Sequence, residues 1–175
     1  MNKPRPSRLR FNFGFLLEAP NGTSREIELN YPAVKVAEDL TLAPLSGVFT
    51  ATRTSEGVYL SGTLQSALIT QCMRCLEDAD VPLTLELDEM FYYPPHAAPE
   101  EGYVVGENGY IDLAPLAREL AFLALPIRPL CKADCQGLCM VCGANLNVGD
   151  CGCEESDIDP RMAALKMLLD NDVTG

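Results

Sequence analysis

Apolar and polar residues alternate most strictly between Leu45 and Asp88. In VYLSGTLQSALIT, Val58, Leu60, Leu64 and Leu68 fall on one side at period two, and Tyr59, Ser61, Thr63 and Gln65 on the other. The rhythm returns in Val81, Leu83, Leu85 and Leu87, set against Thr84, Glu86 and Asp88. Period two marks strands that are buried on one face and wet on the other, the habit of an antiparallel sheet. Upstream, VFTATRT and the turn SEG complete a β-hairpin with a Gly-containing turn. REIEL at 25–29 alternates well enough for a further strand.

A helical period takes over after YYPPHAAPEEG at 92–102, a Pro-rich acidic loop. Asp112 reads as an N-cap, with Pro115 tolerated in the first turn and Pro126 stopping the helix after about Leu125. Leu113, Leu116, Ala117, Leu120, Leu123 and Ala124 make its apolar face. Asp159-Pro160 signals a last helix, with Met162, Leu165, Leu168 and Leu169 on one side. The predicted class is α+β: an antiparallel, barrel-like β-sheet with a packed helix, a Cys-rich lobe and a C-terminal helix. Its 175 residues suit one domain. Within it, 1–22 reads as a basic arm, 23–128 as a β-rich core with its helix, and 129–175 as the Cys-rich lobe and closing helix.

Charge narrows the function classes. A net charge of −12 argues against a protein that coats nucleic acid electrostatically. The charge is also uneven. Lys3, Arg5, Arg8 and Arg10 stand in the first ten residues without an acid, whereas Leu76 to Asp112 holds ten carboxylates and no Lys or Arg. That acidic stretch reads either as a solvated surface or as a docking face for a basic partner. No apolar run approaches the ~20 residues of a membrane span. The N-terminal FNFGFLL is interrupted by Asn12 and ends at Glu18 without a small-residue cleavage site, so it does not read as a secretory signal. A cytoplasmic location is expected, where thiols stay reduced and favour metal over disulfides.

Eight cysteines supply the candidate chemistry, in four close pairs: Cys72/Cys75, Cys131/Cys135, Cys139/Cys142 and Cys151/Cys153. Two close pairs wrap a tetrahedral zinc, so eight thiols suggest two Zn²⁺ sites. The simplest mate of Cys139/Cys142 is Cys151/Cys153, which leaves Cys72/Cys75 to share a metal with Cys131/Cys135. Spacing alone also allows Cys72/Cys75 to join Cys139/Cys142. Four thiolates close a zinc's coordination, whereas catalytic zinc keeps an open position. The only histidine, His96, stands in the Pro-rich loop without a metal-binding context. Cys135-x3-Cys139-x2-Cys142 has the spacing of radical S-adenosylmethionine enzymes, but the surrounding pattern is antiparallel. Cys72-x2-Cys75 joins two strands rather than opening a helix, which does not suit a thioredoxin-like dithiol. A redox-sensing zinc–thiolate switch is the alternative to a scaffold. Glu119 is a carboxylate on an otherwise apolar helix, a surface residue for which Arg118, Arg128 or Arg74 are candidate partners.

The ordered set CMRCLED, IDL-x-P-L-x-x-E-L, LC-x3-C-x-GLC-x2-CG-x-NLN-x3-C-x-C and DPR-x-x-x-L, between Leu45 and Leu169, resembles the YceD family of large ribosomal RNA subunit accumulation proteins. The resemblance implies a non-enzymatic ribosome-biogenesis factor supporting 23S rRNA accumulation and large-subunit assembly, with zinc as scaffold. It implies as partners the assembling large ribosomal subunit, a basic ribosomal protein or rRNA, with no membrane and no small-molecule substrate. Carried onto matching positions, the shared CxRC element is Cys72, Arg74 and Cys75, and Glu119 is the carboxylate of the helix motif. Arg74, Glu77, Asp78 and Glu119 are the candidate partner-contact residues. The chain departs from the family at Met140, where a proline is common, and some relatives lack most of the C-terminal cysteines.

Overall fold

The computed structural model describes residues 8–106 and 108–153. The expected last helix, with Met162, Leu165, Leu168 and Leu169, lies outside the described residues, as do Lys3 and Arg5 of the basic arm. The chain runs through β1 (Arg10–Asn12), α1 (Gly14–Leu17), β2 (Ser24–Tyr31), β3 (Val34–Lys35), β4 (Thr41–Leu42) and β5 (Leu45–Arg53). It continues through β6 (Gly57–Gln71), β7 (Asp78–Tyr92), a 3-10 turn at Pro95–Ala97, β8 (Tyr103–Val104), β9 (Tyr110–Asp112) and α2 (Ala114–Ala124).

The alternation forecast above becomes a five-stranded sheet of order β2-β5-β6-β7-β8. Its spine is the long hairpin of β6 and β7, paired from Gly57 opposite Tyr92 to Gln71 opposite Asp78. Leu60, Leu64, Leu83 and Leu85 are buried on one side, and Thr63, Gln65, Thr84 and Glu86 face outward. The expected barrel does not form. The edges, β2 and β8, do not pair with each other, and β8 is two residues long and parallel to β7. So short an edge cannot carry a ladder around to the other side, and the sheet stays open and mixed.

One face of the sheet is covered. Helix α2 packs on β7, and α1 on β5 and β6. Separate two-stranded ladders, β1 with β9 and β3 with β4, complete the layer. The N-terminal segment is part of this cover from Leu9 onward: Leu9, Phe13 and Leu16 are buried, and Phe11 meets Phe49 edge to face at 5.9 Å. Over residues 9–17 the expected polar arm is thus a core element, because FNFGFLL supplies apolar groups that the open sheet needs. Gly62 leaves room for the β5 backbone at Val48 and Phe49. It lies between Phe49 and Leu87 on the covered face, and a Cβ there would stand 2.5 Å from the Phe49 Cα.

Two expectations for α2 shift slightly. The helix begins at Ala114 with Leu113 at the N-cap position, while the Asp112 side chain accepts the Ala114 N–H at 3.0 Å. Asp112 therefore serves the helix start from one residue further out, as the last residue of β9. Leu123 is 81% exposed, whereas Ala114 and Ala121 are buried. The small alanines let the helix axis approach β7, which turns Leu123 past the edge of the buried arc. Among the described residues, no helix is long and apolar enough to cross a membrane.

Core and outer face should respond differently to truncation. Leu85→Ala removes a fully buried side chain and should cost about 3 kcal/mol of unfolding free energy. Glu86→Ala on the outer face should change it by no more than about 0.5 kcal/mol. Urea denaturation of the metal-loaded protein reads both.

Candidate metal centre

The β6–β7 hairpin closes through Cys72–Glu77. Cys72 N–H donates to the Glu77 carbonyl at 2.8 Å, Leu76 N–H to the Cys72 carbonyl at 3.0 Å, and Arg74 N–H to the Cys72 sulfur at 3.5 Å. The same three bonds recur in the Cys-rich segment. Cys139 N–H donates to the Ala144 carbonyl at 2.8 Å, Gly143 N–H to the Cys139 carbonyl at 2.9 Å, and Val141 N–H to the Cys139 sulfur at 3.4 Å. CMRCL and CMVCG are thus two copies of one knuckle. Its fifth position needs left-handed backbone, supplied by Gly143 at φ +74° and by Leu76 at φ +61°. For leucine that conformation costs about 1 kcal/mol or more, and the side chain recovers little by burial, being 59% exposed.

Each knuckle meets a second pair. Cys72, Cys75, Cys131 and Cys135 form one group and Cys139, Cys142, Cys151 and Cys153 the other, with the sulfurs in each group all within 4.8 Å of one another. This geometry selects the simpler of the two pairings open to the sequence. Zinc–sulfur bonds of about 2.3 Å in a tetrahedron place the sulfurs about 3.8 Å apart. The Cys72–Cys135 and Cys75–Cys131 separations are 3.7 and 3.5 Å. Four soft thiols at tetrahedral spacing fit a zinc ion, which would supply a rigid cross-link between the segments that carry them. The groups differ in depth. Cys72, Cys75 and Cys135 are buried and belong to the main core, whereas Cys142 is exposed and Cys151 and Cys153 are half-buried.

Protein groups prepare the sulfurs for a cation. The backbone N–H of Cys75 first, opposed by burial and aided by that of Arg74, brings the Cys72 thiol down to about 6. The N–H groups of Cys142 and Val141 bring Cys139 down to about 6. Burial, then the neighbouring Cys75 and Cys135, pushes Cys131 up to about 12. The Cys142 and Cys151 sulfurs push Cys153 up to about 12. One sulfur per group is thus readily ionised while another holds its proton, as like charges this close demand.

Asparagines absent from the candidate residues support the first group. Asn147 Nδ2 donates to the Cys135 sulfur at 3.4 Å, and its Oδ1 accepts the Gln136 N–H at 2.9 Å. Asn145 Oδ1 accepts from the Asn147 side-chain amide at 2.8 Å, and Asn145 Nδ2 donates to Glu77 at 3.5 Å. The NLN triplet carried this signal, but only the fold aims it at a sulfur. Arg74 donates from Nη1 to the Cys135 carbonyl at 2.8 Å. Asp78 is exposed at the start of β7. Glu119 lies elsewhere, on α2, where it accepts the Tyr103 hydroxyl at 2.8 Å rather than meeting an arginine. His96 is exposed in the 3-10 turn and joins neither thiol group.

Metal affinity should be steeply pH-dependent. Cys75 and Cys131 in the first group, and Cys151 and Cys153 in the second, lie above the ordinary thiol value and hold protons at neutral pH without metal. Binding must release at least these two protons per site, so apparent zinc affinity should fall about a hundredfold per pH unit as pH drops from 8 to 7. Competition with a chelator of known pH response measures the slope, and a flat profile would contradict four-thiolate binding.

Comparison with known proteins places this arrangement. The family model for "Large ribosomal RNA subunit accumulation protein YceD" matches residues 60–169, from β6 past the last cysteine pair. A Mycobacterium tuberculosis protein, called only an uncharacterized protein, is 37% identical over 121 residues, 66% of this chain and 57% of its own length. The chain therefore spans less than two thirds of that relative. Protein YlbN of Bacillus subtilis is 27% identical over 120 residues, 67% of this chain and 70% of its own. A chloroplast protein of Arabidopsis thaliana, named large ribosomal RNA subunit accumulation protein YCED homolog 1, is 45% identical over 49 residues, 27% of this chain and 15% of its own. No solved structure matches this chain. With its match running through the long hairpin, the helix and both thiol groups, the chain belongs to the YceD family.

Proposed function

We propose that this protein is a non-enzymatic ribosome-biogenesis factor that supports large-subunit rRNA accumulation in the cytoplasm, with two structural zinc ions holding its binding surfaces in place. The observation that carries the reading is the family match across residues 60–169, together with relatives whose printed names specify large ribosomal RNA subunit accumulation. Four thiols per site leave a zinc ion no open position for substrate, which favours a scaffold over turnover.

The outer face of the sheet supports a basic ribosomal protein as one partner. Glu26, Thr50, Ser61 and Asp88 form one cross-strand row, and Glu28, Val48, Thr63 and Glu86 the next. Asp80 continues the same face, and neither row contains Lys or Arg. Neutral residues separate the carboxylates, Asp88 also accepting the Tyr59 hydroxyl at 2.6 Å, and complementary charge speeds and orients an encounter with a cationic segment. A redox-switch reading draws support from the exposed Cys131 and Cys142. It requires zinc release under mild peroxide, whereas the scaffold keeps both ions.

Tagged protein expressed in its native cell should cosediment with large-subunit precursors, and the association should weaken as salt rises. Reversing charge with Asp80→Lys, Glu86→Lys and Asp88→Lys together should abolish it while zinc content stays unchanged. Undiminished cosedimentation of that variant would overturn the acidic docking face. Absence of the wild-type protein from precursor fractions would overturn the assembly role itself.

A further inference from the structure

A cavity of about 260 Å³ opens beside the first knuckle, lined by Met73, Arg74, Arg128 and Leu130. Two cations converge there in a chain whose net charge is −12, with no carboxylate in the lining. The walls are fixed to each other. Met73 N–H donates to the Pro129 carbonyl at 2.9 Å, and Arg74 is held by the Cys135 carbonyl. The thiol group that brings Cys72 and Cys75 to Cys131 and Cys135 joins the same two segments.

Most other described arginines are engaged. Arg10 lies 4.5 Å over the Tyr110 ring, Arg25 5.2 Å over Phe15, and Arg118 pairs with Asp39 at 3.2 Å. Arg53 donates to the Gly57 carbonyl at 2.9 Å. Arg128 makes no hydrogen bond or ion pair with any described residue, although it shares a cavity with a second guanidinium. The Arg74 side chain is held by the Cys135 carbonyl, whereas Arg128 makes no such bond. Apolar groups line the cavity beside the two cations: Met73, 62% exposed, and Leu130, half-buried.

We infer that this cavity is a binding site for an unpaired RNA nucleotide, with Arg128 and the free edge of Arg74 on the phosphodiester and Met73 and Leu130 against the base. The inference rests on the assembly-factor reading above and names the RNA-contacting site within it. Guanidinium planes and apolar side chains hold splayed-out bases, and arginine takes phosphate oxygens with two parallel donors. An acidic peptide would satisfy the charges but leave the Met73 and Leu130 side chains without a flat apolar partner.

The test uses the full zinc-loaded chain and a fluorescein-labelled oligouridylate of about twelve nucleotides, read by anisotropy between about 50 and 200 mM salt. Arg128→Ala should weaken binding about tenfold and lower the slope of log affinity against log salt by about one. Arg128→Lys should restore the slope but only part of the affinity, and an abasic oligomer should bind more weakly than the oligouridylate. Zinc content and urea stability of Arg128→Ala should match wild type, which excludes a folding defect. Unchanged affinity and slope in Arg128→Ala would overturn the site. So would polyglutamate binding as tightly as RNA with the same dependence on Arg128. Wild-type protein that cosediments with precursors but binds no oligouridylate overturns this site and leaves the assembly role standing. RNA binding lost in Arg128→Ala, from a protein absent from precursor fractions, keeps the site and removes the assembly role.

Discussion

Four sulfurs gathered within 4.8 Å of one another repel as thiolates and waste buried space as thiols, and the region beyond α2 is arranged around the place where they meet. Cys72 and Cys135 lie 63 residues apart in the chain, yet their sulfurs stand 3.7 Å apart at the tip of the β6–β7 hairpin. Turns and one isolated bridge are the only regular features of 131–153 among the described residues. Such a segment buries too little apolar surface to offset its own ordering entropy. A zinc ion shared with the hairpin tip would supply the missing cohesion, because metal binding free energy becomes folding free energy where no preformed site exists in the unfolded chain. The deep position of the first group carries that cohesion into the main core, while the second group, nearer the surface, organises its own loop.

The hairpin tip is therefore both a structural junction and the place where contrasting surfaces meet. On the open sheet face the rows through Glu26 and Glu28 hold carboxylates and no Lys or Arg, whereas beside the tip Arg74 and Arg128 share a cavity with Met73 and Leu130. The proposed contacts, a cationic protein along one face and an RNA strand at one end, would use this polarity. The hairpin fixes the distance between the two, since the first knuckle is the direct continuation of β6 and β7.

Several features were readable from residue order. Strict period-two alternation over Val58–Leu68 and Val81–Leu87 fixed which side chains turn inward, because a one-residue slip would expose every leucine. Asp112, Pro115 and Pro126 bracketed the helix to within a residue or two. The cysteine pairs announced groups of four thiols. Leu76 hid the first knuckle's equivalence to the second, since nothing in a leucine signals left-handed backbone. The N-terminal FNFGFLL looked like a passage out of a polar arm. It became core because an open five-stranded sheet leaves a face that local sequence cannot know is uncovered.

Residue order by itself thus determined the strands, the helix, the thiol inventory and the family signature, all of which depend on spacing along the chain. Tertiary structure alone decided which pairs of thiols share a site, that the sheet stays open, that Asn147 reaches the Cys135 sulfur, and that Arg128 faces Arg74. Each of these joins residues far apart in the chain. Their meeting depends on how β7, α2 and the Cys-rich segment stack on one another, and periodicity carries no information about distance between elements.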